Sequence, residues 1–121
     1  MAVDLDKCVV RLGRREKISA ELAKVLDPTD ILSIVWFRIP ADRPTELHDH
    51  AYDECWLFTS GETVVTLRRE DGTSKQFEVS AGTLVVTPRG VEHGHTPRTE
   101  MEGYQWCSIL RPTARRGHLQ P

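Results

Sequence analysis

The sequence predicts an all-β chain with one short helix. Three observations carry that expectation. The apolar residues fall mostly in short runs rich in Val, Ile, Leu and aromatic side chains, which is strand chemistry. Turn signals punctuate these runs, among them residues 40–44 with their Pro and Asp, the Asp71-Gly72 pair and Pro88-Arg89-Gly90. One stretch, residues 17–26, repeats apolar side chains at helical spacing (Ile18, Leu22, Val25, Leu26). At 121 residues the chain is long enough to bury one core and too short for two. It divides into an N-terminal strand and helix over 1–29, a β-domain over 30–111 and a polar tail over 112–121.

Taken in order, residues 7–12 form a strand-like fragment ending at Gly13, short enough to need an edge or another subunit for pairing. The helix follows, with Ser19 as cap, Glu21 in its first turn and Asp27-Pro28 as its stop. Residues 30–39 are apolar on both faces, the pattern of a strand covered on both sides, one face lining the barrel and the other meeting a second sheet or a partner subunit. That strand motivates a homodimer. Its one cation, Arg38, is read first as a rim ion pair and second as a group binding a substrate carboxylate or phosphate. Residues 62–69 and 74–79 flank Asp71-Gly72 as a hairpin. Residues 96–100 read as a loop, 103–110 as the final strand, and 113–121 as a tail that is mobile or folds only on a partner.

Chemistry concentrates in residues 46–61. In extended backbone His48 and His50 project to one face, and Glu54 returns after a corner at 51–53 at the head of an aromatic-rich strand. Two nitrogens and an oxygen on one side suit a divalent transition ion with positions left open. A second stretch, residues 82–95, places a β-branched strand between Gly82 and Pro88-Arg89-Gly90, with His93 following as a fourth ligand.

These two stretches resemble the paired signatures of the cupins. The first is His48-x-His50, three residues, Glu54, six residues, Gly61; the second is Gly82, five residues, Pro88-x-Gly90, two residues, His93. Asp42 stands where the family usually has a glycine, and Pro97 where it often has an asparagine; neither position supplies a ligand. The resemblance implies a double-stranded β-barrel of jelly-roll type. It also implies a metal inside the barrel on His48, His50, Glu54 and His93, the ion being Fe2+, Mn2+, Zn2+ or Ni2+.

Around such a centre, Trp56 and Phe58 share Glu54's alternation and face inward, as does one of two pairs on the last strand, Tyr104/Trp106 or Gln105/Cys107. Trp56, Tyr104 and Arg38 are the candidate substrate contacts. His95 and Tyr52 are the preferred acid or base, with Glu46 and Glu92 nearby. Cys55 points away from Glu54's face and is expected to pack, not react. The expected function is a metal-dependent enzyme acting on an oxygen-bearing small molecule by dioxygenase, lyase/cyclase or isomerase chemistry. A sensing or storage module without catalysis is the alternative.

Composition removes other classes. A net charge of -2 gives no electrostatic case for nucleic acid, and basic pairs such as Arg14-Arg15 and Arg68-Arg69 have acids close by. No apolar run approaches the roughly 20 residues that span a bilayer. With no signal-like apolar core at the N-terminus and three cysteines without a Cys-x-x-Cys pair, a cytoplasmic location is expected.

Overall fold

The computed structural model describes residues 3–24, 31–48 and 53–108, excepting the side chains of 31–33, 45–48 and 106–108. Its strands are β1 (Val9–Arg11), β2 (Ile31–Ile39), β3 (Thr45–His48), β4 (Glu54–Ser60), β5 (Glu62–Arg68), β6 (Ser74–Ser80), β7 (Thr83–Thr87), β8 (Glu92–Pro97) and β9 (Met101–Ser108). They form two antiparallel sheets, ordered β1-β7-β4-β9-β2 and β3-β8-β5-β6. This is the jelly-roll barrel expected from the sequence, with one short α-helix among the described residues, α1 (Ala20–Ala23), ahead of it.

Local chemistry explains the elements. The Ser19 hydroxyl accepts a hydrogen bond from the Leu22 N–H at 3.3 Å, capping α1, and Leu22 is buried. The rest of the predicted helix, beyond residue 24, lies outside the described residues. β1 pairs with β7 at one edge of the five-stranded sheet, Val9 opposite Val85, so the N-terminal segment does find an edge. The β5–β6 hairpin closes as predicted, Arg68 opposite Ser74, with Gly72 at a φ of 90° and the Asp71 carboxylate accepting the Thr73 N–H at 2.9 Å. That hydrogen bond holds the Asp71 carboxyl below its ordinary range.

The core lies between the sheets: Phe58, Val65, Leu67, Val85 and Met101 are all fully buried. Gly103 lets the five-stranded sheet pack tightly. It pairs with Phe37 on β2 and Phe58 on β4, whose rings meet edge-on at 5.6 Å, and a Cβ there would run into the Leu57 carbonyl oxygen.

Three expectations are corrected. β2 is an edge strand with Ile34, Val35 and Trp36 64%, 50% and 53% exposed, so among the described residues no second sheet covers its outer face, and of the two expected covers only a partner subunit is left. Strand β8 runs on through Thr96 and Pro97, which were expected in a loop, because β5 pairs with it as far as Thr63 opposite Pro97. Arg38, expected in a buried strand, is exposed and faces Glu100 and Glu102 at 3.4 and 3.9 Å, the ion-pair reading of this residue. The tail from residue 109 onward lies outside the described residues.

Candidate metal centre

Strand alternation assembles the site from both sheets. On β4, Glu54, Trp56 and Phe58 share one face and are buried. On β8, His93 and His95 share a face across Gly94, and both are buried. The two faces meet. His93 Nε2 lies 2.9 Å from Glu54 Oε1, each side chain only 1% exposed. The Trp56 ring lies 5.4 Å from His93 and 4.9 Å from His95, and His95 also contacts Phe58 at 5.9 Å.

β3 brings the backbone of His48 to the same strand, β8. Its backbone pairs with β8 so that His48 stands opposite His93 and Thr45 opposite His95, with a register irregularity between the two pairs. Two of the four expected ligands, Glu54 and His93, are therefore in contact, and the third is across the ladder from His93. His50 and Tyr52 lie outside the described residues. Among the described residues no three potential ligands cluster, His48's side chain and His50 not being among them.

The corner before Glu54 is clamped. Asp53, buried, accepts the Arg89 N–H at 2.9 Å through Oδ1 and pairs with the Arg89 guanidinium at 3.2 Å through Oδ2. This ties the first motif to the Pro88-Arg89-Gly90 turn of the second, where Gly90 has a φ of 89°. The sequence reading missed this clamp, since nothing local to Asp53 or Arg89 announces a contact 36 residues apart.

Gln105 was also missed as a site residue. It pairs with Trp56 across the β4–β9 ladder, and its amide donates to Glu54 Oε2 at 2.6 Å. Of the two alternatives for the last strand, Gln105 is thus the inward one at this level. Tyr104, expected as a substrate contact, is corrected: alternation turns it out, it is 46% exposed, and it stands opposite Trp36 on β2. Arg38, on the outward parity of β2 opposite to Phe37 and held by Glu100 and Glu102, likewise does not join the interior. Glu92, one of the nearby acids, is engaged by Arg68 through two bonds of 2.8 and 2.9 Å and alternates away from His93.

Cys55, on the far side of β4 from Glu54, is fully buried, and desolvation drives its thiol pKa well up. That is packing chemistry, not nucleophile chemistry. A separate groove of about 520 Å³, lined by Arg11, Arg14, Glu62, Glu78, Thr83 and Arg98 among others, lies at the Thr83 end of β7, away from Thr87 and Glu54. No helix among the described residues is long and apolar enough to cross a membrane.

Comparisons with known proteins agree with this architecture. A tryptophan-to-phenylalanine variant of oxalate decarboxylase from B. subtilis superposes with a TM-score of 0.61 at 25% identity, over 68% of this chain and 22% of that one. A second B. subtilis oxalate decarboxylase structure, described by its Mn(II) centers, gives 0.57 at 20% identity over 65% and 21%. KdgF from Halomonas sp. gives 0.55 at 20% identity over 69% and 73% of the two chains. A conserved protein of unknown function from Streptococcus pyogenes gives 0.57 at 17% identity over 68% and 67%. No curated protein matches the chain. The Cupin domain family matches residues 35–104, more than half of the chain, running from within β2 to within β9 and carrying Glu54, His93 and the paired motifs; the chain belongs to the cupin family.

Proposed function

We propose that this cupin is a metal-dependent enzyme acting on an oxygen-bearing small molecule, with a divalent transition ion held by His48, His50, Glu54 and His93. The observation that carries the proposal is the His93 Nε2–Glu54 Oε1 contact of 2.9 Å between the two sheets, in an interior with both side chains buried. A buried imidazole and carboxylate at that separation, with a second histidine strand beside them, fit the donor set of a borderline-hard divalent ion. The ion, when bound, would supply Lewis acidity and a common point for the reactants.

The chain's own residues supply the rest. Trp56 Nε1 is buried with no hydrogen-bond partner among the described residues, so its N–H is a donor suited to an acceptor oxygen on a bound molecule beside His93. His95, packed against Trp56, is the group best placed to hold or move a proton there, with Tyr52 as the other candidate. The interior aromatics Trp56, Phe37 and Phe58 exclude water. The relative named as oxalate decarboxylase supports enzymatic use of this fold without naming the substrate of this chain. We also propose a homodimer through the exposed edge formed by β2 and β9.

Elemental analysis of protein purified without chelators tests the metal. A stoichiometric iron, manganese, zinc or nickel content is expected, and its loss in His50→Ala with the fold retained. Full occupancy in His50→Ala would refute the ligand set. Binding of small oxygenated molecules without turnover of any would favour the sensing or storage alternative.

A further inference from the structure

We infer that Gln105 is the positioning residue that sets how Glu54 binds the ion, an inference that rests on the metal reading above. Glu54's two oxygens have different tasks. Oε1 faces His93 across the sheets at 2.9 Å, whereas Oε2 accepts the Gln105 side-chain N–H within the five-stranded sheet at 2.6 Å. An ionised carboxylate only accepts hydrogen bonds, so the amide nitrogen is the atom that must face it, and the bond is charge-assisted and short.

Topology explains why Gln105 reaches Glu54. Glu54 stands opposite Cys107 and Trp56 opposite Gln105 on the β4–β9 ladder, making Gln105 the diagonal neighbour of Glu54. Diagonal positions are within reach of long side chains. Shortening or removing the amide leaves the gap unbridged.

The consequence is control of denticity. With Oε2 held by Gln105, Glu54 offers one oxygen, Oε1, to an ion shared with His93. Coordination through both oxygens would have to share Oε2 with the Gln105 amide and turn the carboxylate away from its present orientation, and it would occupy a position otherwise open to substrate. Gln105 therefore keeps an exchangeable position available without being a ligand itself, and holds the carboxylate oriented before the ion arrives.

The test uses Co(II) as the probe, added to chelator-stripped wild type, Gln105→Met and Gln105→Asn. The first variant keeps the chain length without the donors; the second keeps the amide on a stem too short to reach, and serves if the first fails to fold. Affinity is read by titration, coordination by the visible absorption bands, and fold by urea unfolding of the metal-free proteins. The expected result is affinity weaker by about tenfold or more and a changed Co(II) spectrum in the folded variants. Equal affinity with an unchanged spectrum in a folded variant overturns the inference while leaving the metal site standing. A wild type that binds no Co(II) overturns both.

Discussion

Removing the buried His93–Glu54 contact one partner at a time, and then both together, separates a pair retained for chemistry from one retained for stability. The perturbation is Glu54→Met, His93→Leu and the double variant, each stripped of metal with a chelator. Glu54→Met takes from His93 Nε2 the carboxylate oxygen 2.9 Å away, in a site 1% exposed, and the loss of one buried hydrogen-bond partner costs about 1–3 kcal/mol. His93→Leu leaves the buried Glu54 carboxyl with the Gln105 bond of 2.6 Å still in place but without its second partner, which puts its cost at about 3 kcal/mol, the upper end for a buried polar group left short of a hydrogen bond. Glu54→Met also breaks the Gln105 bond, but it does so in the single and the double variant alike and the cost cancels in the comparison; without it the single losses sum to about 4–6 kcal/mol, and replacing both partners by apolar groups of similar volume costs about 1 kcal/mol or less. The coupling is then about 3–5 kcal/mol, well outside the scatter of independent sites. Urea unfolding of the four proteins measures it. Additivity to within about 0.5 kcal/mol would refute the reasoning, because it would mean that the two side chains do not depend on each other.

Cys8 and Cys55 are expected to resist a disulfide reagent at pH 8 in the native protein and to react in urea, as located by mass spectrometry; native labelling of either would contradict their burial. Burial raises the Cys8 thiol from 9.0 to about 12, so its contribution to stability is present below pH 9.0 and lost as pH rises toward about 12; stability unchanged across that window would refute the shift. Gly103→Ala should destabilise by about 1–3 kcal/mol, since its Cβ would meet the Leu57 carbonyl oxygen and lie 2.9 Å from the Phe37 ring; an unchanged melting temperature would refute the close packing. Sedimentation is expected to give a dimer at micromolar concentration and a monomer for Trp36→Glu, and a monomeric wild type would refute the edge interface.

Much of the site was legible because strand periodicity is strict. Knowing only that residues 54–58 and 93–95 are extended puts Glu54, Trp56 and Phe58 on one face and His93 with His95 on another, as the structure has them. The histidine and glutamate spacings then pointed to one place. The last strand was not legible in the same way. Tyr104, Gln105, Trp106 and Cys107 leave neither parity clearly polar, so only the ladder with β4 decides that Gln105 faces Glu54. β2 misled for a related reason. Apolar side chains on both faces look like a buried strand, yet its place at the end of the sheet is a property of topology, which no local pattern encodes. The buried setting expected for Arg38 followed from that error, whereas its reading as a rim ion pair holds, with partners Glu100 and Glu102 more than 60 residues away. The Asp53–Arg89 clamp was hidden for the same cause.

Because Glu54 hangs from the five-stranded wall and His93 from the four-stranded one, the gap between the walls is itself a tuning parameter of the site. Two stacked sheets keep their spacing, about 10 Å, through the bulk of the side chains between them, and here that filling includes Phe58, Val65 and Leu67. A substitution there that slackens or overfills the interior would alter the span between donors without touching any of them. Redesign of this barrel for a new ion or reaction would therefore start from the volume of its filling, before the donors themselves are changed.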